Sequence, residues 1–146
     1  MAKITLRPDE ILLRKDHVSF FTKKVSTRVG TCFLTSQRVV TFSDPLIFAA
    51  MGVASIIVRA VLKKLGRWQS GREEAELRDL QRVTLSRYGL NEGRITLDFR
   101  DGTQIRIATA KKRRAEWLDA LDLALGDLGL ERVPDGEDTF VVEAVR

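Results

Sequence analysis

Several kinds of chemistry are ruled out by what this chain has little of. Among 146 residues there is one cysteine, one histidine and three prolines. A lone cysteine, Cys32, cannot form an intrachain disulfide, so a reducing, cytoplasmic setting is expected, with peripheral attachment to a membrane left open. A lone histidine, His17, beside a lone cysteine supplies no metal set at any known ligand spacing, so no metal and no cofactor are expected. The one nucleophilic pairing these residues allow needs His17 and Cys32 to meet across neighbouring strands. The competing reading makes Cys32 a small core residue. The dinucleotide-binding, phosphate-loop and nucleophile-elbow glycine patterns are all missing. Glu73-Glu74, a pair of acids among basic neighbours, reads as solvated charge. The chain is therefore expected not to be an enzyme. Few prolines argue against long linkers, and the opening MAKITLRPDE has no apolar run of its own, so no signal peptide is expected.

What is present is charge, unevenly spread. The formal net charge is +5. Residues 1–118 hold 23 Lys/Arg against 12 Asp/Glu, or +11, and residues 119–146 hold 2 against 8, or −6. A basic body with an acidic tail draws anions to the body. The tail either folds back onto the same surface or, like the body, presents an ordinary solvated face.

Hydrophobic patterning predicts two strand-rich blocks. His17-Val-Ser-Phe-Phe-Thr, Cys32–Thr35 and Arg38–Phe42 read as strands, with a turn at Thr27–Gly30, a tight turn at Ser36-Gln37, and an end at Asp44-Pro45. Gly66–Glu76 is polar and reads as a loop. Leu77–Tyr88, Arg94–Phe99 and Gln104–Ile107 read as strands, with Leu80, Val83, Leu85, Ile95, Leu97, Phe99, Ile105 and Ile107 inward and Asp101-Gly102 as a hairpin turn. Lys111–Leu128 reads as a helix whose apolar stripe is Trp117, Leu121, Ala124, Leu125 and Leu128, with Gly126 and Gly129 marking its end. Beyond it, residues 130–146 form an acidic tail with one further strand at Thr139–Val142 as an option.

Between the two blocks lies PLIFAAMGVASIIVRAVLKKLG, residues 45–66, which suits a helix. On a helical wheel Gly52, Ser55, Arg59, Lys63 and Gly66 form one narrow stripe, with Lys64 the exception. Apolar side chains cover the rest, among them Leu46, Phe48, Met51, Ile56, Ile57 and Val61. A helix resting on one sheet needs an apolar arc of only about 100°, and a bilayer crossing needs about 20 predominantly apolar residues, which Arg59 interrupts. Three readings remain: burial against the chain's own sheet and a second copy, shallow insertion into a membrane, or packing within the domain under the acidic tail.

The order of elements carries a resemblance. Gly30-Thr31-Cys32-Phe33-Leu34-Thr35-Ser36-Gln37-Arg38-Val39-Val40-Thr41-Phe42 looks like the GRAM pattern of glycine, apolar strand, Leu-Thr, polar pair, Arg, two aliphatics and Phe. Leu77–Val83, the Asp101-Gly102 hairpin and the helical Glu116-Trp117 fall where the pleckstrin-homology-like (PH-like) superfamily places corresponding features. Over residues 10–128 the chain thus resembles a GRAM-type or bacterial PH-like domain. The long apolar insert and the tail depart from the minimal module. The resemblance implies a mainly β (α+β) fold: a partly open antiparallel barrel of two meanders, a C-terminal capping helix and the inserted helix, over residues 1–129. It implies a binding module without fixing the ligand, since family members bind lipids or peptides.

Two basic clusters are the candidate sites for lipid or another anion. Lys111, Lys112, Arg113 and Arg114 open the second helix, where the dipole disfavours cations and an anion would reverse the balance. The alternative is a solubilising turn. Arg59, Lys63, Lys64 and Arg67, with Arg72 beyond, stand at the end of the apolar helix beside Trp68, as in a membrane-surface element. Helix-dipole complementarity alone also accounts for Lys63 and Lys64. Nucleic acid is not expected, because the strands lack the aromatic spacing of a stacking platform. The expected function is peripheral docking at an anionic membrane or phospholipid headgroup. The alternative is a protein-interaction or homo-oligomerisation module built on the same helix.

Overall fold

The computed structural model describes residues 3–22, 25–45, 71–87 and 92–145. The first block forms β1 (Leu12–Thr22), β2 (Val25–Thr35), β3 (Arg38–Pro45) and β4 (Gly71–Glu76). The second forms β5 (Leu80–Arg87), β6 (Glu92–Phe99) and β7 (Gln104–Ala110), followed by α1 (Lys111–Asp127). A terminal hairpin, β8 (Leu130–Pro134) and β9 (Thr139–Ala144), completes the chain. Every pairing is antiparallel, in the order β4-β3-β2-β1-β7-β6-β5-β9-β8. The fold is mainly β, one nine-stranded sheet with one α-helix among the described residues, and the sheet does not close into a barrel.

Connectivity nevertheless forces the sheet to curl. β4 stands first and β5 seventh in the order, a separation of about 29 Å across a flat sheet. Yet only the single 3-10 turn Leu77–Asp79 joins them, and a link that short spans at most about 14 Å. Register shifts at Leu12/Arg14, Phe20/Phe21 and Leu80/Arg82 add local bend. The main core fills the inner side. Val18, Cys32, Leu34 and Val39 come from the first block, and Leu77, Leu80, Val83, Ile95, Leu97, Phe99, Ile105 and Ile107 from the second. Trp117, Leu121, Ala124 and Leu125 of α1 pack on them, as the helical stripe requires.

Three local expectations need correction. Thr27–Gly30 is not a turn but part of β2, where Gly30 pairs with Val18 on one side and Ser43 on the other. Glycine is needed there because a Cβ would stand 1.8 Å from the Phe42 carbonyl oxygen. Residues 71–76 of the expected loop form β4, an edge strand whose charged side chains disguise it: Arg72, Glu73 and Glu74 are exposed and Ala75 is buried. Leu77–Asp79 is a 3-10 corner rather than the start of a strand, although Leu77 is buried as expected.

The tail joins the sheet as a hairpin. β9 pairs with β5 through Arg82↔Val141, Val83↔Phe140 and Thr84↔Thr139. Arg132 holds β8 to the helix with two bonds to Asp122, 2.9 and 2.8 Å, and stacks 4.2 Å from the centre of the Phe140 ring. Gly129, with φ 74°, ends α1 in the left-handed conformation that favours glycine. The inserted apolar helix lies outside the described residues. Among the described residues no helix is long and apolar enough to cross a membrane.

Two glycines separate crowding from backbone strain. Gly30→Ala must displace β3 backbone and should cost about 3 kcal/mol or more. Gly102→Ala meets nothing within 4 Å but sits at φ 90°, so it should cost only about 1–2 kcal/mol. Urea unfolding of the two variants measures the difference, and equal losses would contradict this reading of β2–β3 contact.

Candidate functional site

The most heavily bonded polar cluster was not singled out by the sequence as a site. It begins with a turn, Arg7-Pro8-Asp9-Glu10, in which the Glu10 amide donates to the Arg7 carbonyl at 3.1 Å. Proline presets the second position, and Asp9 takes the positive φ of 64° that the third position of a type II turn requires. The turn presents the Glu10 carboxylate, 0 % exposed, to the Arg38 guanidinium, 6 % exposed. Arg38 Nε donates to Glu10 Oε2 at 2.8 Å and Nη2 to Oε1 at 3.1 Å, a two-pronged contact. Thr35 Oγ1 donates to Oε2 at 2.6 Å, and the Arg7 amide to Oε1 at 2.8 Å.

The remaining Arg38 donors reach outward. Nη1 meets Glu74 Oε1 at 2.8 Å and Nη2 meets the Thr5 carbonyl at 2.7 Å. Arg7 in turn bonds Glu74 at 2.9 Å and both oxygens of Glu76. Ile11 and Ser36 exchange two further bonds, 3.0 and 2.8 Å. The segment Thr5–Ile11 is thus a strap fastened to the β2–β3 turn and to β4. Burial by itself would raise the Glu10 pKa. The hydrogen bonds from Arg38, Thr35 and the Arg7 amide, with the Arg38 charge, outweigh it and bring the group to about 2. The bond to Glu10 raises the Arg38 pKa, with Glu74 adding to the effect. Every carboxylate oxygen of Glu10 is occupied by the chain itself, so the cluster is a fastening, not a receptor for a ligand. Two signals mark it in the sequence: a Pro-Asp turn ending in Glu, and an arginine standing before two valines.

A cleft of about 380 Å3 adjoins the strap, lined by Arg7, Gln37, Glu76, Arg78 and Asp79. It mixes both charges and has no histidine, cysteine or hydroxyl nucleophile. His17 and Cys32 do not meet. His17 pairs with Thr31 and Asp16 with Cys32, so alternation sends them to opposite faces. Cys32 is fully buried, and burial, then the Asp16 charge, pushes its thiol pKa well up. It is a core residue, as the competing reading had it. Among the described residues no group of three or more His, Cys, Asp or Glu is placed to hold a metal.

The basic candidates divide. Arg59, Lys63, Lys64, Arg67 and Trp68 lie outside the described residues, as do Leu46, Phe48, Met51, Ile56, Ile57 and Val61. Lys111 opens α1, with Lys112 and Arg113 exposed in the same first turn. Their helix end has Ala110 as its cap residue, no side-chain cap and no acid in the first turn. Arg113 Nη1 stands 3.9 Å from Asp16, a long contact at a guanidinium 57 % exposed. Arg114 turns away from this edge, donating to the Ser86 carbonyl at 2.8 Å and packing beside Gly93. Asp16 is held more firmly by Arg14 Nε at 2.7 Å, and Arg14 also reaches Glu116 at 3.0 Å, which ties β1 to α1. Comparison with protein-family models and with curated proteins finds no match to the chain.

The buried pair dictates an acid response. A carboxylate whose pKa is lowered on folding adds stability above its unfolded value and loses it as pH falls through the folded value. Glu10 drops from 4.5 to about 2, so its contribution, on the order of 3 kcal/mol, should disappear between about pH 4.5 and pH 2. Urea unfolding across that range should show a stability slope that Glu10→Gln flattens. An unchanged slope in the variant would contradict the assignment.

Proposed function

We propose that the chain is a PH-like module of the GRAM type, non-catalytic, that docks on an anionic membrane surface or phospholipid headgroup. Two consecutive meanders followed by a helix that packs on their curled sheet support the fold reading. The observation that carries the functional reading is the start of α1. Lys111, Lys112, Arg113 and Arg114 occupy a turn with no side-chain cap and no acid. Cations at a helix N-terminus are unfavourable by about 0.3–1 kcal/mol each at exposed positions. An arriving phosphate meets exposed Lys112 and Arg113 together with uncapped backbone N–H groups, which turns that unfavourable arrangement into binding energy. Arg59, Lys63, Lys64, Arg67 and Trp68 supply the second contact in this proposal, with the apolar run between them and β3 entering the headgroup layer.

Charge reversal separates docking from folding. Lys112→Glu with Arg113→Glu should lower pelleting with phosphatidylserine-containing vesicles by about tenfold or more, since each basic residue near such a surface contributes about 1 kcal/mol. The same variant should unfold at an equal or higher urea concentration than the parent, because acids suit a helix N-terminus. Lys63→Glu with Lys64→Glu should also weaken pelleting. Failure of the parent chain to pellet at low ionic strength would sink the proposal. An oligomer by light scattering without vesicle binding would favour the self-association alternative.

A further inference from the structure

Among the described residues, β8 and β9 are the strands without a fully buried side chain. Leu130, Phe140 and Val142 only lean on the main core, half-buried. β9 follows β5 from Arg82↔Val141 to Thr84↔Thr139, whereas β6 follows the other side of β5 from Leu80↔Phe99 to Arg87↔Gly93. One further backbone bond, from the Leu85 amide to the Asp138 carbonyl at 2.8 Å, extends the shorter seam. The hairpin also works against itself. Glu131 and Glu143 are both exposed and stand directly opposite each other in the β8–β9 ladder, and like charges so placed are destabilising. Asp138 takes φ 57°, a left-handed conformation that is uncommon outside glycine.

Two cations hold this arm down. Arg132 of β8 bonds Asp122 of α1 through Nε and Nη2 and covers the Phe140 ring. Arg82 Nη2 lies 3.6 Å from Asp135, but both side chains are half-exposed, and such a pair contributes little. The arm leaves α1 at Gly129, where a φ of 74° and open surroundings leave room for backbone rotation. Lifting the arm would unpair the Leu85 amide and bare the edge of β5, and a bare edge is a template for another strand. We propose that β8–β9 is a latched arm. It opens about Gly129 as one unit while the rest of the sheet stays folded, with Arg132 as the latch and the β5 edge as the surface it guards. The arm is independent of the membrane-docking proposal, since Lys112 and Arg113 stand at the opposite end of α1.

Amide hydrogen exchange of the full chain, followed residue by residue by nuclear magnetic resonance, tests the arm. An isolated two-stranded hairpin is marginal in water, so amides throughout β8–β9 should lose protection together when it opens. The Leu85 amide, although in β5, should exchange with them, at least about tenfold faster relative to its intrinsic rate than Ile95 and Leu97 in β6. Arg132→Ala should speed exchange of the arm and of Leu85 by about tenfold and leave Ile95 and Leu97 unchanged. Equal protection of the arm and β6 would overturn the proposal, because the hairpin would then open only on global unfolding. Rates that climb steadily toward residue 145, with Leu85 as slow as β6, would overturn it too, since the chain end would merely fray. Equal acceleration of the arm and β6 in Arg132→Ala would remove Arg132 as the latch.

Discussion

A single buried guanidinium, its four hydrogen bonds spent on three partners, anchors one corner of this fold. Arg38 binds Glu10 with two nitrogens, Glu74 with a third and the Thr5 carbonyl besides. Removing charges from water is costly, and the pair is tolerable because Glu10 accepts four hydrogen bonds and Arg38 donates four. The match needs the Thr35 hydroxyl, the Arg7 amide and the type II turn that delivers Glu10. The same corner sets the sheet. Gln37, between Thr35 and Arg38, accepts the Leu77 amide at 2.9 Å. That bond ties the first residue of the 3-10 turn, where β4 ends, to the β2–β3 turn. The strap, the β2–β3 turn and the charged edge strand thus meet at one satisfied ion cluster.

Much of the strand order was legible because alternation is a strong signal where one face is buried. Ile95, Leu97 and Phe99 face inward as their spacing predicts, and Trp117, Leu121, Ala124 and Leu125 fall on one helical face. The misreadings have physical causes. β4 reads as a loop because an edge strand carries charge on its exposed positions and only Ala75 inward. Gly30 reads as a turn because glycine marks turns, whereas here it makes room for the Phe42 carbonyl. The partners of the Glu10–Arg38 pair stand 28 positions apart in sequence; the Pro-Asp turn and the arginine are each visible locally, but their pairing is not.

The candidate site was legible in part. The sequence placed four cations at the start of α1, and the helix does begin at Lys111 without a cap or an acid. It could not foresee that Arg114 turns to the Ser86 carbonyl and leaves the outer edge to Lys112 and Arg113. The division of labour in the proposed account follows from these placements. An ion cluster at one corner holds the sheet, a buried thiol and an apolar core fill its inner side, and the uncapped helix end carries exposed Lys112 and Arg113.

The dependence of the fold on the Arg38 cluster is open to a direct measurement, a double-mutant cycle of Arg38→Met, Glu10→Leu and both together, followed by urea unfolding. Breaking either side alone strands a buried charge and should cost about 3–5 kcal/mol, whereas removing both leaves no unpaired ion. The double variant should therefore be no less stable than either single one, with a coupling of about 3 kcal/mol. Additive losses would contradict the account, because they would mean that Glu10 and Arg38 act independently and that the corner is held by something else.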